Sequence, residues 1–198
     1  MKNYKLSKLL LALVVSGLAM PTLGQQLEEV VVTASKRAEN LRDIPQAVTA
    51  FSAERLVELG IVETSDLMGA IPNIQVTSAY GRTQPNFSIR GISVANEFSA
   101  ATASPVGVYV DEVYQSFRAS HGQQLFDLES VEVLRGPQGT LYGRNTTGGA
   151  VNVNTVKPSL DEGISGFLNA RLGNYSYTDF TGAVEATIIP GELGVRLS

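Results

Sequence analysis

The sequence predicts a small α+β domain, a mixed sheet with short helices, followed by the first antiparallel strands of a transmembrane β-barrel. Three observations carry this. Between residues 44 and 77, two apolar strand-like runs flank two short helical patterns closed by Gly60 and Pro72. In the middle, Leu125 to Val153 reads LFDLESVEVLRGPQGTLYGRNTTGGAVNV, two strand-like runs joined by a Gly- and Thr-rich connection. From Ile164 onward, apolar and polar residues alternate strictly.

Composition removes several function classes. The 198 residues contain no cysteine, which excludes a disulfide framework, a thiolate metal site and a cysteine nucleophile. A single histidine, His121, leaves no histidine metal cluster, and a lone loop histidine is expected to be solvated. A formal net charge of -4 argues against nucleic acid as a partner, because phosphate binding needs a cationic face.

In chain order, residues 1–24 have the anatomy of an export signal. Lys2, Lys5 and Lys8 precede the apolar run Leu9–Val15, and Thr22-Leu23-Gly24 offers small residues for cleavage before Gln25. The apolar run is short for a membrane-spanning helix. Val30, Val31 and Val32 are β-branched and extended, with polar flanks that give them no core to join. Such a segment suits pairing with the sheet edge of a partner, and the alternative is a first strand of the domain itself. A strand is then expected over Gln46–Phe51 and a helix over Ala53–Leu59, with Ser52 as N-cap, Gly60 as stop, and Leu56 and Leu59 facing inward. A second short helix runs from Ser65 to Ala70, and Ile74–Thr77 returns to strand. Ser78–Asn86 and Ser93–Pro105 read as loops, the second long enough to suggest a function. Val106, Val108 and Val110 form one strand face before a turn at Asp111-Glu112.

In the last part, Ile164, Gly166, Leu168, Ala170 and Leu172 alternate with Ser165, Phe167, Asn169 and Arg171. Phe180, Gly182, Val184, Ala186 and Ile188 repeat the pattern, and Leu193, Val195 and Leu197 begin a third strand. Lipid outside and water within demand this alternation, although a half-buried soluble sheet shows it too. Two and a half strands cannot close a barrel, so the sequence reads as an N-terminal fragment or a truncated gene product.

No catalytic constellation emerges, and no enzyme or cofactor is expected. The glycines of Gly136-Pro137-Gln138-Gly139-Thr140 and Thr147-Gly148-Gly149 lack the Gly-Lys-Ser/Thr ending of a phosphate loop, and are better explained by backbone geometry. Arg90 and Arg135 each end a strand-like run before a glycine. They are either solvated or paired with a carboxylate, for which Glu129 and Glu132 are the candidates within this chain.

By its literal residues the stretch Leu125–Val153 resembles the plug-domain signature of TonB-dependent outer-membrane receptors. Ile71-Pro72-Asn73-Ile74 resembles the same family, as does the hairpin segment VYVDEV, with Glu112 where glycine is commoner. The resemblance implies four parts: a signal peptide at 1–24, an extended N-terminus at 25–40, a plug domain at 41–158, and the start of the barrel at 163–198. The run Glu29, Val30, Val31, Val32, Thr33 and Ala34 resembles the TonB box, which implies binding to TonB by strand addition. Arg90 and Arg135 match arginines that face barrel glutamates and lock plug to wall, with partners expected beyond Ser198. Apical plug loops help bind substrate in the family, which points to Tyr80, Arg82, Gln84, Phe98, Phe117 and His121. The implied function is active import of a scarce solute, most commonly a ferric siderophore, across the outer membrane. A plugged barrel of this kind needs about 22 strands. The rivals are a secreted β-rich adhesin or carbohydrate-binding module, and a plug-only fragment that transports nothing.

Overall fold

The computed structural model describes residues 31–33, 36–37, 39–40, 44–99, 102–122, 124–161 and 163–198. The expected export signal, together with Glu29, Val30 and Ala34, lies outside the described residues. The strands are β1 (Val31–Val32), β2 (Glu39–Asn40), β3 (Val48–Ser52), β4 (Ile74–Thr77), β5 (Asn86–Ile89), β6 (Val106–Val110), β7 (Val113–Tyr114), β8 (Leu128–Arg135), β9 (Gly149–Thr155), β10 (Ile164–Leu172), β11 (Thr178–Ile189) and β12 (Leu193–Leu197). Short helices α1 (Ala53–Glu58), α2 (Leu67–Ala70) and α3 (Gly139–Tyr142) are joined by 3₁₀ turns at Thr64–Asp66, Gly81–Thr83 and Arg118–His121.

The two strands of the central motif, β8 and β9, form the middle of a five-stranded sheet ordered β3-β8-β9-β6-β7. All its pairings are antiparallel except β6 with β9. The register sets Val131 opposite Val153 and Val133 opposite Val151, while Glu132 faces Asn152 and Leu134 faces Ala150. Because side chains alternate, the valines all fall on one face. There they join Phe51, Leu56, Leu67, Phe87, Ile89, Val106 and Val108 in the main core. Each such side chain contributes about 1.5–3 kcal/mol on leaving water. The other face carries a smaller cluster of Val32, Ile44, Tyr109, Leu134, Tyr142 and Ala150. Gly149 is needed where β9 begins, since a Cβ there would collide with the backbone oxygen of Leu134 and with Ile89.

Helix α1 begins as expected, with Ser52 Oγ accepting from Arg55 N at 3.4 Å. Its end differs from the expectation for Leu59, which is 42% exposed. Gly60 (φ +67°) turns the chain out of the helix, Gly60 N donates to Val57 O and Ile61 N to Leu56 O. This double bond pattern brings Ile61, not Leu59, back over Leu56. The hairpin β6–β7 has a two-residue turn with Asp111 and Glu112 both at positive φ, 46° and 68°. Glycine is the cheapest residue in such a turn but aspartate tolerates it, and the Asp111 carboxylate is held by Thr155 N and Oγ1 at 2.9 and 2.8 Å.

Strands β10, β11 and β12 form a separate antiparallel sheet. Ile164, Leu168, Leu172, Phe180, Val184, Ile188 and Leu197 are exposed on its outer face. Ser165, Phe167, Glu185 and Arg196 point the other way, toward the α+β domain.

Candidate functional site: the N-terminal strand, the arginine corner, the apical loops and the wall contact

The N-terminal segment does have a core to join, contrary to the expectation from its polar flanks. Val31–Val32 pairs with Glu39–Asn40, and Val32 is 1% exposed in the smaller cluster. Thr33 is held next to it by the carboxylate of Glu132, which accepts from Thr33 N at 2.6 Å and from Thr33 Oγ1 at 3.0 Å. Asn154 Nδ2 bridges Thr33 Oγ1, Ser130 Oγ and the same Glu132 oxygen. Glu132 is fully buried, and its second oxygen has no partner among the described residues. A buried carboxylate depends on such donors, so Thr33 and this polar patch secure each other. Nearby, burial and then the charge of Glu132 push the Tyr142 phenol well above its ordinary range.

The two arginines singled out in the sequence meet at one corner. Arg90 sits in the left-handed region at φ 52°, where its N donates to Asn73 O, and its Nη1 lies 3.4 Å from the position a Gly136 Cβ would take. Arg135 Nη1 reaches Pro72 O at 3.4 Å. Neither has a carboxylate at ion-pair distance among the described residues. The fallback partners within the chain are therefore not used: Glu132 is engaged with Thr33 on the other side of the sheet, and Glu129 is exposed.

The residues expected in the apical loops divide in two. Tyr80, Phe98 and Phe117 are exposed, and Tyr80 Oη donates to Phe98 O at 3.0 Å. Arg82 is exposed beside Glu63 and Asp66, at 3.3 and 3.5 Å. Gln84 and His121 are buried. His121 was expected in solvent but is 2% exposed, with Nε2 3.0 Å from Gln115 O and its own carbonyl accepting from Thr64 Oγ1. Burial, with the nearby Arg118 charge adding to it, holds its imidazole below the ordinary value despite the Gln115 contact. Its side chain is enclosed within the loop.

Arg118 was missed. It is 2% exposed and bonds Asn86 Oδ1, Glu97 O and Ser99 O at 2.7, 3.0 and 2.5 Å, tying the long loop after β5 to the turn that carries His121. A lone arginine in a polar loop gives no sequence signal of this. The wall contact was also missed. Arg196 donates from Nε and Nη2 to Asp127 Oδ2 and Oδ1 at 2.8 and 2.6 Å, and from Nη1 to Glu185 Oε2 at 2.7 Å. The guanidinium bond holds the Asp127 carboxyl below the usual carboxylate range. A faint signal existed, since Arg196 lies on the polar face of the alternating pattern.

The comparisons with known proteins agree with this geometry. Residues 40–150 match the family model described as TonB-dependent Receptor Plug Domain. The pesticin receptor of Yersinia pestis is 31% identical over 190 residues, which cover 91% of this chain and 28% of the relative. The ferripyoverdine receptor of Pseudomonas aeruginosa is 29% identical over 142 residues, covering 69% and 16%. The crystal structure of the ferric yersiniabactin uptake receptor FyuA from Yersinia pestis superposes with a TM-score of 0.67 at 30% identity, over 76% of this chain and 23% of that one. The chain thus spans under a third of the length of these relatives. With its mixed plug sheet, its arginine corner and a strand pattern continuing into a wall, the chain belongs to the TonB-dependent receptor family, whose plug domain it contains.

Proposed function

We propose that the protein gates the TonB-driven import of a scarce solute, iron carried by a siderophore, across the bacterial outer membrane. The observation that carries this is the junction of two surfaces in one chain. A plug-type sheet packs against three strands whose outer face is apolar and whose inner face holds Glu185 and Arg196 against the plug. Lipid on one side and a filled lumen on the other require that arrangement. The ferripyoverdine receptor and the ferric yersiniabactin uptake receptor among its relatives support a ferric cargo.

In this reading Glu29 to Ala34 is the strand that the periplasmic domain of TonB captures by edge pairing. Capture draws on a segment whose Val32 and Thr33 are docked on the plug, so the strand is gripped fully only after it leaves Glu132. Arg90 and Arg135 serve as the lock, meeting carboxylates of the barrel wall, which their lack of a carboxylate partner among the described residues supports. Tyr80, Phe98 and Phe117 present aromatic surface, with Arg82 beside them, to the arriving solute. The internal positions of Gln84 and His121 support a bracing role for them instead.

The test is uptake of radiolabelled iron on a panel of siderophores by a receptor-deficient strain carrying the complete protein. Uptake that disappears on deletion of TonB is the expected result, and import of no member of the panel, or import indifferent to TonB, refutes it. Arg135→Ala that keeps wild-type uptake and plug stability removes the lock assignment alone.

A further inference from the structure

The contact between plug and wall that the structure holds lies at the end of β8 opposite the arginine corner. Strand β8 runs from Leu128 to Arg135, so its two ends are about 25 Å apart at the usual rise per residue. At the Arg135 end, two guanidinium groups share a corner without a carboxylate among the described residues. At the other end, Phe126 and Asp127 reach the wall. The Phe126 ring meets Phe167 of β10 in a tilted edge contact, centroids 6.2 Å apart, and Asp127 takes the two-pronged bond of Arg196.

The wall side of this contact is continuous. Ser165, Glu185 and Arg196 stand directly opposite one another across β10, β11 and β12. Ser165 Oγ donates to Glu185 Oε1 at 2.7 Å, and Glu185 Oε2 accepts from Arg196. One guanidinium therefore joins a plug carboxylate to a three-strand ladder. The pair is also shielded, with side-chain exposures of 13% for Arg196 and 6% for Asp127. Asp127 itself is fixed in a left-handed conformation (φ 53°), and its carbonyl accepts from Val156 N just past β9. The tether thus grips both the entry to β8 and the exit of β9, the strand from which the chain passes into the wall.

We infer that Asp127, Arg196 and Glu185 form a fixed hinge, at which the plug stays joined to the first wall strands while it is rearranged during import. Separating Arg196 from Asp127 would leave the shielded Asp127 carboxylate without its cation, while Glu185 keeps Arg196 on the wall. Rearrangement that leaves this contact closed avoids that cost.

This rests on the import reading, and the test separates the two. The chain has no cysteine, so Phe126→Cys with Phe167→Cys introduces a pair that leaves Asp127 and Arg196 intact. In the complete receptor in its membrane, the pair is joined by a short bis-maleimide, and siderophore-iron uptake is compared before and after linkage. The hinge predicts uptake within twofold of the unlinked form. A tenfold or greater loss on linkage, with solute still bound at the cell surface, overturns the hinge and leaves the import reading standing. A wild-type protein that imports nothing fails the import reading, and the hinge is then judged by a second measurement. Asp127→Ala is expected to speed protease cleavage of segment 124–128 at least tenfold relative to wild type, with no comparable effect from Arg135→Ala. Equal cleavage in Asp127→Ala and wild type overturns it.

Discussion

Glu132→Gln separates charge from shape at the place where the N-terminal strand is fastened. Glu132 Oε1 takes both Thr33 bonds, and Oε2 has no described partner, so a glutamine can present its carbonyl to Thr33 and its amide where no acceptance is lost. What changes is the strength of the bonds. A hydrogen bond to a charged group is worth about 1.5–3 kcal/mol, a neutral one about 0.5–1.5 kcal/mol, so each Thr33 bond weakens by about 1 kcal/mol. Two such bonds give about 2 kcal/mol, or roughly a 30-fold rise in the population with residues 31–33 undocked. Thr33→Val removes the hydroxyl bond altogether and keeps the backbone donor, and is expected to cost about 1.5–3 kcal/mol, a rise of roughly tenfold or more. Hydrogen exchange at the amides of Val32 and Thr33 reads the undocked population directly. Capture by the isolated periplasmic domain of TonB, without added solute, should rise in parallel with the exchange. Exchange and capture identical to wild type in Glu132→Gln would show that the carboxylate does not hold the strand.

Three further outcomes follow from the packing. Leu56→Ala should cost about 2–5 kcal/mol in urea unfolding of the plug and Leu59→Ala under about 0.5 kcal/mol, because only Leu56 is in the core; equal effects would contradict the helix-end geometry. Gly149→Ala should destabilise by about 2–4 kcal/mol, since the added methyl meets backbone that cannot swing aside, and a wild-type midpoint would refute this. His121 is held below its ordinary value by burial, so the folded state resists taking up a proton that the unfolded chain accepts. Its contribution is complete above about pH 6.5 and is lost as pH falls from there toward the lowered folded value. Stability measured from pH 7.5 to 5 should decline, the decline should shrink in His121→Gln, and an unchanged slope would refute the assignment.

How far the sequence spoke depended on whether a residue's role was local. Ser52 and Gly60 announced the ends of α1 because capping is decided within a turn, and the valines of β8 and β9 announced a two-faced strand by their period. The alternation after Ile164 correctly divided an outer apolar face from an inner polar one. Leu59 failed because the turn at Gly60 lets Ile61 take the inward place, which helical spacing does not register. The docking of Val32 and Thr33 was not legible for a different reason: the groups that receive them, Glu132, Asn154 and Leu134, come from about a hundred residues later. Arg118 and the Asp127–Arg196 pair are of the same kind, meaningful only once distant segments have met.

The strand order β3-β8-β9-β6-β7 also governs how the plug can be made. Its two central strands are the last of the five to leave the export machinery, since β3, β6 and β7 all precede them. Until residues 128–155 arrive, β3 has no partner for its edge, and β6 has only the two-residue β7. Assembly then requires an antiparallel insertion of β8 and a parallel closure of β9 on β6, both non-local steps that are slow relative to hairpins and helices. Newly exported chain therefore passes through a stage with open edges and uncovered valines, the condition in which strands pair with the wrong neighbour. The wall strands emerge directly afterwards, so β10 offers its apolar face while the plug is still closing. A periplasmic holdase that keeps the chain extended through this interval would act most strongly on the segment from β3 to β7, and a version with β8 and β9 placed ahead of β3 should need it least.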